Sequence, residues 1–347
     1  MGPLSRTKIF LLSISFLVLF LFISIWFLFI PPSKTETTKV IYIKKGMSLK
    51  KISELLEQEG IIRNRHFFVL ITTVLGKKTK VKAGEYELHS RMLPQEVLDT
   101  LVKGQVKSHL VTIPEGYTLF QISELLDDLN IVGKKDFIQK ASSPPFIASL
   151  GLSHLTSPGI GQTLEGYLFP ETYHLLREMD PGEVIQMMVL QFKKVFGSDM
   201  AQQASQLGIS EREAVILASV IEKETPLPEE KPLISAVFHN RLKKKIPLQS
   251  DPTVIYGIKN FNGNLTKEDL LRPTVYNTYL INGLPPTPIC NPGKDSIQAA
   301  LFPAPVPYLY FVSKNDGSHY FSSDIEEHNR AVWKYQKHSK KNGLTKR

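Results

Sequence analysis

Hydrophobic positions fall into three patterns along this chain, and each pattern predicts a different kind of element. From Ile9 to Ile30 the sequence IFLLSISFLVLFLFISIWFLFI carries no charged residue. As a helix those residues would extend roughly 33 Å, the thickness of a bilayer's hydrocarbon core. Trp26 sits near one end, where an indole suits the interface, and Pro31-Pro32 stops the helix. A cleaved signal peptide would have a shorter apolar run and a small-x-small cleavage site. The reading is an uncleaved single-pass anchor over 9–30 behind a short tail, 1–8.

The second pattern is a repeat at a spacing of 70 residues. Residues 41–62, IYIKKGMSLKKISELLEQEGII, align with 111–132, VTIPEGYTLFQISELLDDLNIV, and nine of the 22 positions are identical. Each copy has a β-rich run, a glycine turn and a helix capped by Ser48 or Thr118. The helical spacing predicts burial of Leu49, Ile52, Leu55 and Leu56 in one copy and of Leu119, Ile122, Leu125 and Leu126 in the other. The first copy continues into a second helix near 65–75 and a strand at 84–89. That β-α-α-β order resembles a LysM-like module, a fold that often contacts amino-sugar polymers. The alternative is a spacer whose repeated pattern only specifies packing.

Beyond about residue 160 the texture changes to aromatic-rich and proline-rich segments. Helices are predicted over 185–196, over 211–225 with Ser210 and Glu213 as a capping box, and over 325–337, with a strand at 308–313. Prolines 247, 252, 273, 285, 286, 288, 292, 303, 305 and 307 fix the loops between them.

Composition narrows the chemistry. Cys290 is the single cysteine, which excludes an intramolecular disulfide and a thiolate metal cluster. The net charge of +9 allows anionic partners as well as simple solubility. There is no H-E-x-x-H, no G-x-S-x-G and no phosphate-cradling glycine loop. Basic residues do not interleave with aromatics as in a nucleic-acid module. His239, His319 and His328 are candidates for a site or for structural duty.

The distinctive segment is EREAVILASVIEKET, 211–225. Its middle, AVILASVI, is apolar nearly all round, which marks a buried helix. Glu222 and Glu224 follow at the C-terminal end, about 200° apart around the axis, so they cannot share one site. Glu224 falls toward the packed side. Burial and the negative end of the helix dipole both raise a carboxyl pKa, as a general acid requires. The alternative is two solvated glutamates on a fraying helix end. Downstream, LQSDPTVIYG (248–257) and YNTYLINGLPP (276–286) gather sugar-type hydrogen-bonding groups, residue types that ordinary turns also use.

Seven ordered motifs complete the pattern: LEGYLFPETY, LASVIEKET, VFHNRL, LQSDPTVIYG, RPTVYNTYLINGLPPTPICNPG, PAPVPYLYFV and HYFSSDIEEHNRAV. Together they resemble the YceG-like family of endolytic murein transglycosylases over nearly the whole chain. Departures are small: Pro226 directly follows Thr225, and Thr287 stands where many relatives have glycine. The resemblance implies an α+β protein with a single transmembrane helix, a LysM-like region over 31–105, a second repeat-like unit and connector over 106–160, a mixed α/β catalytic domain over 161–338 and a basic tail, 339–347. It implies a lyase that cuts the MurNAc-β-1,4-GlcNAc bond of peptidoglycan glycan strands, leaving 1,6-anhydroMurNAc ends without metal or organic cofactor. Glu224 matches the family's catalytic glutamate. Gln249, Asp251, Thr253, Tyr256, Asn277, Thr278 and Tyr279 are expected to touch or support the sugar, with Glu222 and Ser219 behind the catalytic residue. Partners would be glycan strands, the cytoplasmic membrane and peptidoglycan synthases, not nucleic acid. Residues 1–8 would lie inside and the large domain would face the wall. Two other readings stand beside this one: a tethered wall-binding scaffold without turnover, and a muramidase-type hydrolase with Asp251 or another carboxylate as partner to Glu224.

Overall fold

The computed structural model describes residues 6–29, 31–33, 35–156 and 161–338. The expected basic tail and most of the expected N-terminal tail lie outside them. Helix α1 runs Arg6–Phe29, and its side chains are described from Phe10 to Ile23, all solvent-facing. Among the described residues no helix is long and apolar enough to cross a membrane; the expected span, 9–30, reaches beyond the described side chains.

The chain divides into two compact units: residues up to His109 together with His174–Glu178, and Leu110–Tyr173 together with the chain from Met179 on. In the first, β1 (Thr38–Ile43) is followed by α2 (Leu49–Gln58), α3 (Arg65–Val74), β2 (Gly84–His89) and α4 (Pro94–Lys103). The two strands pair antiparallel, Thr38 opposite His89 and Ile43 opposite Gly84. Strand alternation turns Ile41, Ile43, Tyr86 and Leu88 inward onto Leu49, Ile52 and Leu56 of α2, Phe68 of α3 and Val97, Leu98 and Leu101 of α4. Ser48 caps α2 as expected. Leu55, predicted to be fully inside, is only partly buried, and Ser53 is buried instead, its hydroxyl donating to Leu49 O at 2.8 Å. The second copy repeats this: Leu125 is half-buried while Ser123 is fully enclosed and donates to Phe120 O at 2.6 Å. A small hydroxyl satisfied by its own helix lets neighbouring backbone approach where a leucine would hold it off.

Strands β3 (His109–Thr112) and β4 (Thr172–Leu175) pair with each other. Between them lie α5 (Leu119–Asp128), capped by Thr118, then α6 (Lys134–Ala141) and α7 (Pro144–Ser149). The second repeat is thus built into the unit that carries the rest of the chain: α8 (Pro181–Val195), α9 (Ser198–Leu207), α10 (Glu211–Glu224), α11 (Lys231–Lys243), α12 (Asp251–Tyr256), α13 (Lys267–Leu270), α14 (Lys294–Leu301), hairpin β5 (Tyr310–Ser313)–β6 (His319–Ser322) and α15 (Ile325–Val332). Helix α8 begins four residues before its predicted start because Asp180 caps it and Pro181 suits the first turn. Strand β5 begins two residues late, at Tyr310, because it pairs with Ser322, the last residue of β6. The architecture is α+β, with helices around α10 and short two-stranded sheets.

Candidate active site

Helix α10 is the site's foundation. Its N-terminus is closed by the Ser210–Glu213 capping box, and every residue from Ala214 to Ile221 is buried. At the other end the two glutamates diverge, as their angular separation requires. Glu222 Oε2 accepts from Lys231 Nζ at 3.2 Å, Gly293 N at 3.1 Å and Ser296 Oγ at 2.6 Å. It therefore ties α10 to the first residue of α11 and lies at the positive N-terminal end of α14. Ser219 is buried one turn earlier, accepting from Ile289 N at 3.0 Å and donating to Ile216 O at 2.7 Å.

Glu224 faces elsewhere, into a cleft of about 410 Å³. Around it α11, the start of α12 and the loops beside them supply Arg241, Gln249, Asp251 and Tyr279; the β5–β6 hairpin and α15 supply Phe311, Ser313, His319 and His328. Glu224 is half-buried and open to the cleft, and Ser250 Oγ donates to its Oε1. Burial raises its pKa to about 7. The Ser250 hydrogen bond opposes that rise, the Asp251 carboxylate adds to it and the Arg241 guanidinium opposes it. The rise keeps a protonated form of this acid available much nearer neutral pH than an ordinary carboxyl allows.

The cleft's rim is fixed by groups beneath it. Buried Arg241 donates from Nε to Leu309 O at 2.7 Å and from Nη1 to Pro247 O, Leu248 O and Gln249 Oε1 at 3.1, 2.9 and 3.1 Å. Gln249 adopts a left-handed backbone, φ 54°, and its N–H donates to Thr278 O at 3.0 Å. Ser250 N donates to Thr278 Oγ1 at 3.0 Å, and Thr253 Oγ1 donates to Ser250 O at 2.7 Å. Asn277 donates to Leu270 O and Arg272 O, both at 2.9 Å. Of the expected sugar-contacting residues, Gln249, Asp251 and Tyr279 line the cleft, with Tyr279 OH donating to Asp251 Oδ1 at 2.7 Å. Thr253, Asn277 and Thr278 are buried below it as supports. Tyr256 lies apart from the cleft lining and donates to Glu165 Oε2 at 3.1 Å. His319 and His328 line the cleft, whereas His239 contacts Ala300 O at 2.8 Å in the framework. Among the described residues no three His, Cys, Asp or Glu side chains converge as metal ligands would.

The sequence matches the YceG-like family over residues 41–334. The chain belongs to that family. A relative from Bacillus subtilis (strain 168), named endolytic murein transglycosylase, is 33% identical over 316 residues, which cover 87% of this chain and 86% of its own. One of the same name from Streptococcus pneumoniae serotype 2 (strain D39 / NCTC 7466) is 29% identical over 315 residues, 84% of this chain and 57% of the longer pneumococcal protein. The 2.6 Å crystal structure of a YceG-like protein from Listeria monocytogenes superposes with a TM-score of 0.59 at 32% identity, covering 85% of this chain and 99% of that one.

In this YceG-like chain a residue that the sequence did not single out joins the parts. Asn291 is fully buried; its Oδ1 accepts from Gly166 N and Leu168 N, both at 2.9 Å, and its Nδ2 donates to Tyr117 O at 2.9 Å and Glu165 Oε1 at 3.0 Å. All four hydrogen-bonding positions of one amide are used, joining the turn of the second repeat to the LEGYLFP loop. Gly166 has φ 88°, and a Cβ there would lie 2.5 Å from Pro288 Cγ, so that loop passes where only glycine fits. Glu165 is buried within the same network, and burial raises its pKa to about 7 against hydrogen bonds from Leu119, Tyr256 and Asn291. Arg241 and Asn291 were missed as individual residues, and Ser250, one of the polar groups of LQSDPTVIYG, was not linked to Glu224. Each lies inside a quoted motif, and no local periodicity separates it from its neighbours.

Proposed function

We propose that this protein is a membrane-anchored peptidoglycan lytic transglycosylase that cleaves glycan strands endolytically at the MurNAc-β-1,4-GlcNAc bond, with Glu224 as general acid and then base. The observation that carries this reading is Glu224 itself, a carboxylic acid raised to about 7 at the wall of a cleft lined by sugar-type hydrogen-bonding groups. The relatives named endolytic murein transglycosylase support the same activity.

Protonated Glu224 donates its proton to the glycosidic oxygen, and the bond from that oxygen to the muramyl anomeric carbon breaks. The muramyl 6-hydroxyl oxygen then bonds to that carbon, and its proton passes to the Glu224 carboxylate. The products are a 1,6-anhydroMurNAc end and a GlcNAc end with a free 4-hydroxyl; no water is consumed and the acid is regenerated. A hydroxyl held on the same sugar supplies an effective concentration that solvent water lacks. One carboxyl suffices, where hydrolytic glycosidases use two. Ser250 can stabilise the carboxylate form between the two transfers, and Arg241 adds positive charge beside it.

The anchor over 9–30 and the substrate's location place the catalytic domain on the wall side of the cytoplasmic membrane, in reach of nascent strands that it terminates beside peptidoglycan synthases. The LysM-like reading of 31–105 rests on its β-α-α-β order and antiparallel pairing, which suit a strand-positioning module.

A second reading is favoured by Asp251, whose carboxylate lines the same cleft and would make the enzyme a hydrolase. Mass spectrometry of peptidoglycan digested with the full chain in detergent, beside its Glu224→Gln variant, separates the two. Anhydro-muramyl ends from the parent and none from the variant are expected. Reducing ends would establish hydrolysis, and strand binding without cleavage by either would establish a scaffold.

A further inference from the structure

The β5–β6 hairpin brings a second set of groups to the cleft that the acid/base chemistry of Glu224 does not use. His319 opens β6 and pairs with Ser313 across the hairpin. Its backbone N donates to Glu230 Oε1 at 2.8 Å, and its Nδ1 lies 2.6 Å from Glu230 Oε2. Glu230 is buried at the N-terminus of α11, and Thr225, the residue after Glu224, donates to the same Oε2 at 3.4 Å. Phe311 packs edge-on against the imidazole, with centroids 5.5 Å apart.

This arrangement fixes what the imidazole can offer. A carboxylate only accepts, so the proton of the neutral ring sits on Nδ1 and Nε2 presents a lone pair. Nε2 has no protein hydrogen-bond partner among the described residues, and His319 lines the cleft. Holding the hairpin does not require the imidazole, because the backbone N–H of residue 319 already binds Glu230. Nearby, Ser313 Oγ accepts from Asn315 N at 3.1 Å, which leaves its O–H to donate, and Phe311 offers an apolar face. An acceptor, a donor and an aromatic face on one hairpin match the chemistry of a neutral pyranose.

We propose that His319, oriented by Glu230, forms a sugar-binding subsite with Ser313 and Phe311, its Nε2 accepting a hydrogen bond from a hydroxyl or acetamido N–H of the glycan strand. The subsite rests on the transglycosylase reading for its ligand class. Glu230 is a positioning residue: it acts through the tautomer it imposes.

The test uses the full chain in detergent and soluble GlcNAc–MurNAc strands. His319→Ala is expected to raise KM about tenfold with a smaller change in kcat. His319→Gln, whose amide oxygen can stand in for the Nε2 acceptor, should recover most of that loss. Glu230→Gln is the sharper variant. Its amide oxygen can still accept from His319 N, while its NH2 donates to Nδ1 and drives the ring proton onto Nε2. Both contacts to His319 are kept and its Nε2 acceptor becomes a donor, while the long Thr225 contact reverses, its hydroxyl accepting from the second amide hydrogen. KM should rise about as much as in His319→Ala, with a melting temperature close to the parent's and an Nε2–H tautomer by nitrogen NMR. An unchanged KM in folded His319→Ala, or in Glu230→Gln after a demonstrated tautomer change, would overturn the proposal. Strand affinity in a Glu224→Gln background, with and without His319→Ala, decides the subsite even if the parent proves not to cleave. Equal affinities would sink the subsite alone, and absent parental cleavage would sink the catalytic reading alone.

Discussion

Glu224 combines two properties that pull against each other. Its proton is retained because the carboxylate is costly to bury, and the same cost falls on the fold once the proton leaves. With a pKa of about 7 against a reference of 4.5, the folded chain binds this proton over a window in which the unfolded chain has released it. Glu224 therefore makes stability fall as pH rises from about 4.5 to about 7, and Glu165, raised to about 7 by burial, acts in the same direction. Glu224→Gln removes one of these two contributions. The variant should melt higher than the parent at pH 8 and close to it at pH 4.5, as calorimetry at the two pH values would show; no difference at pH 8 would mean that the Glu224 carboxylate is well solvated. On the proposed function catalysis has the same sign: kcat/KM should decline as pH rises through about 7, because Glu224 as general acid must be protonated to act. Asp251 helps to hold that limb up through its charge, so Asp251→Asn should move the limb to lower pH while cleavage continues. Abolition of cleavage at every pH would instead make Asp251 a second catalytic carboxylate.

At the scale of elements, α10 is a buried rod whose C-terminal glutamates serve different neighbours. Glu222 is nearly enclosed with Lys231, their side chains 9% and 4% exposed, and it also binds the first turn of α14. Glu222→Gln would leave the lysine buried without its counter-charge, at a cost of about 3–5 kcal/mol. The expected outcome is a clear drop in melting temperature with near-parental kcat/KM below the transition, the reverse of Glu224→Gln. A large loss of turnover in a chain that remains folded would show that Glu222 reaches the chemistry. That the two glutamates part company was legible in the sequence, because helical geometry alone separates residues two apart. Both repeat caps, the capping box at Ser210 and the limits of β2 were legible for the same reason, since each depends on residues a few positions apart. The rest of the site was not. Ser250 reaches Glu224 across 26 positions, Arg241 reaches Leu309 across 68 and Asn291 reaches Gly166 across 125. A hydrogen bond between distant loops leaves no periodic trace, and a polar side chain that supports a loop from inside uses the same residue types as one that meets a ligand from outside. Thr253, Asn277 and Thr278 were picked out by type and lie inside; Gln249, Asp251 and Tyr279 were picked out by the same rule and line the cleft.

For the whole molecule, topology is the question that charge alone leaves open. Arg6 and Lys8 precede the apolar run, but Lys34, Lys39, Lys44, Lys45 and Lys50 follow it closely, and the positive-inside rule would then hold the large part of the chain in the cytoplasm. That rule weakens for long domains, which translocate largely regardless of flanking charge. Function supplies the missing constraint. On the proposed function, a cleft that cuts glycan strands would have nothing to act on inside the cell, and an enzyme tethered by residues 9–30 would meet strands as they emerge from synthesis. Protease added to intact protoplasts should therefore digest the chain beyond residue 31 and spare only a fragment of the size of the N-terminal helix. Full protection until the membrane is opened would place the cleft in the cytoplasm, and the transglycosylase reading and the sugar subsite on the hairpin would then lose their substrate together.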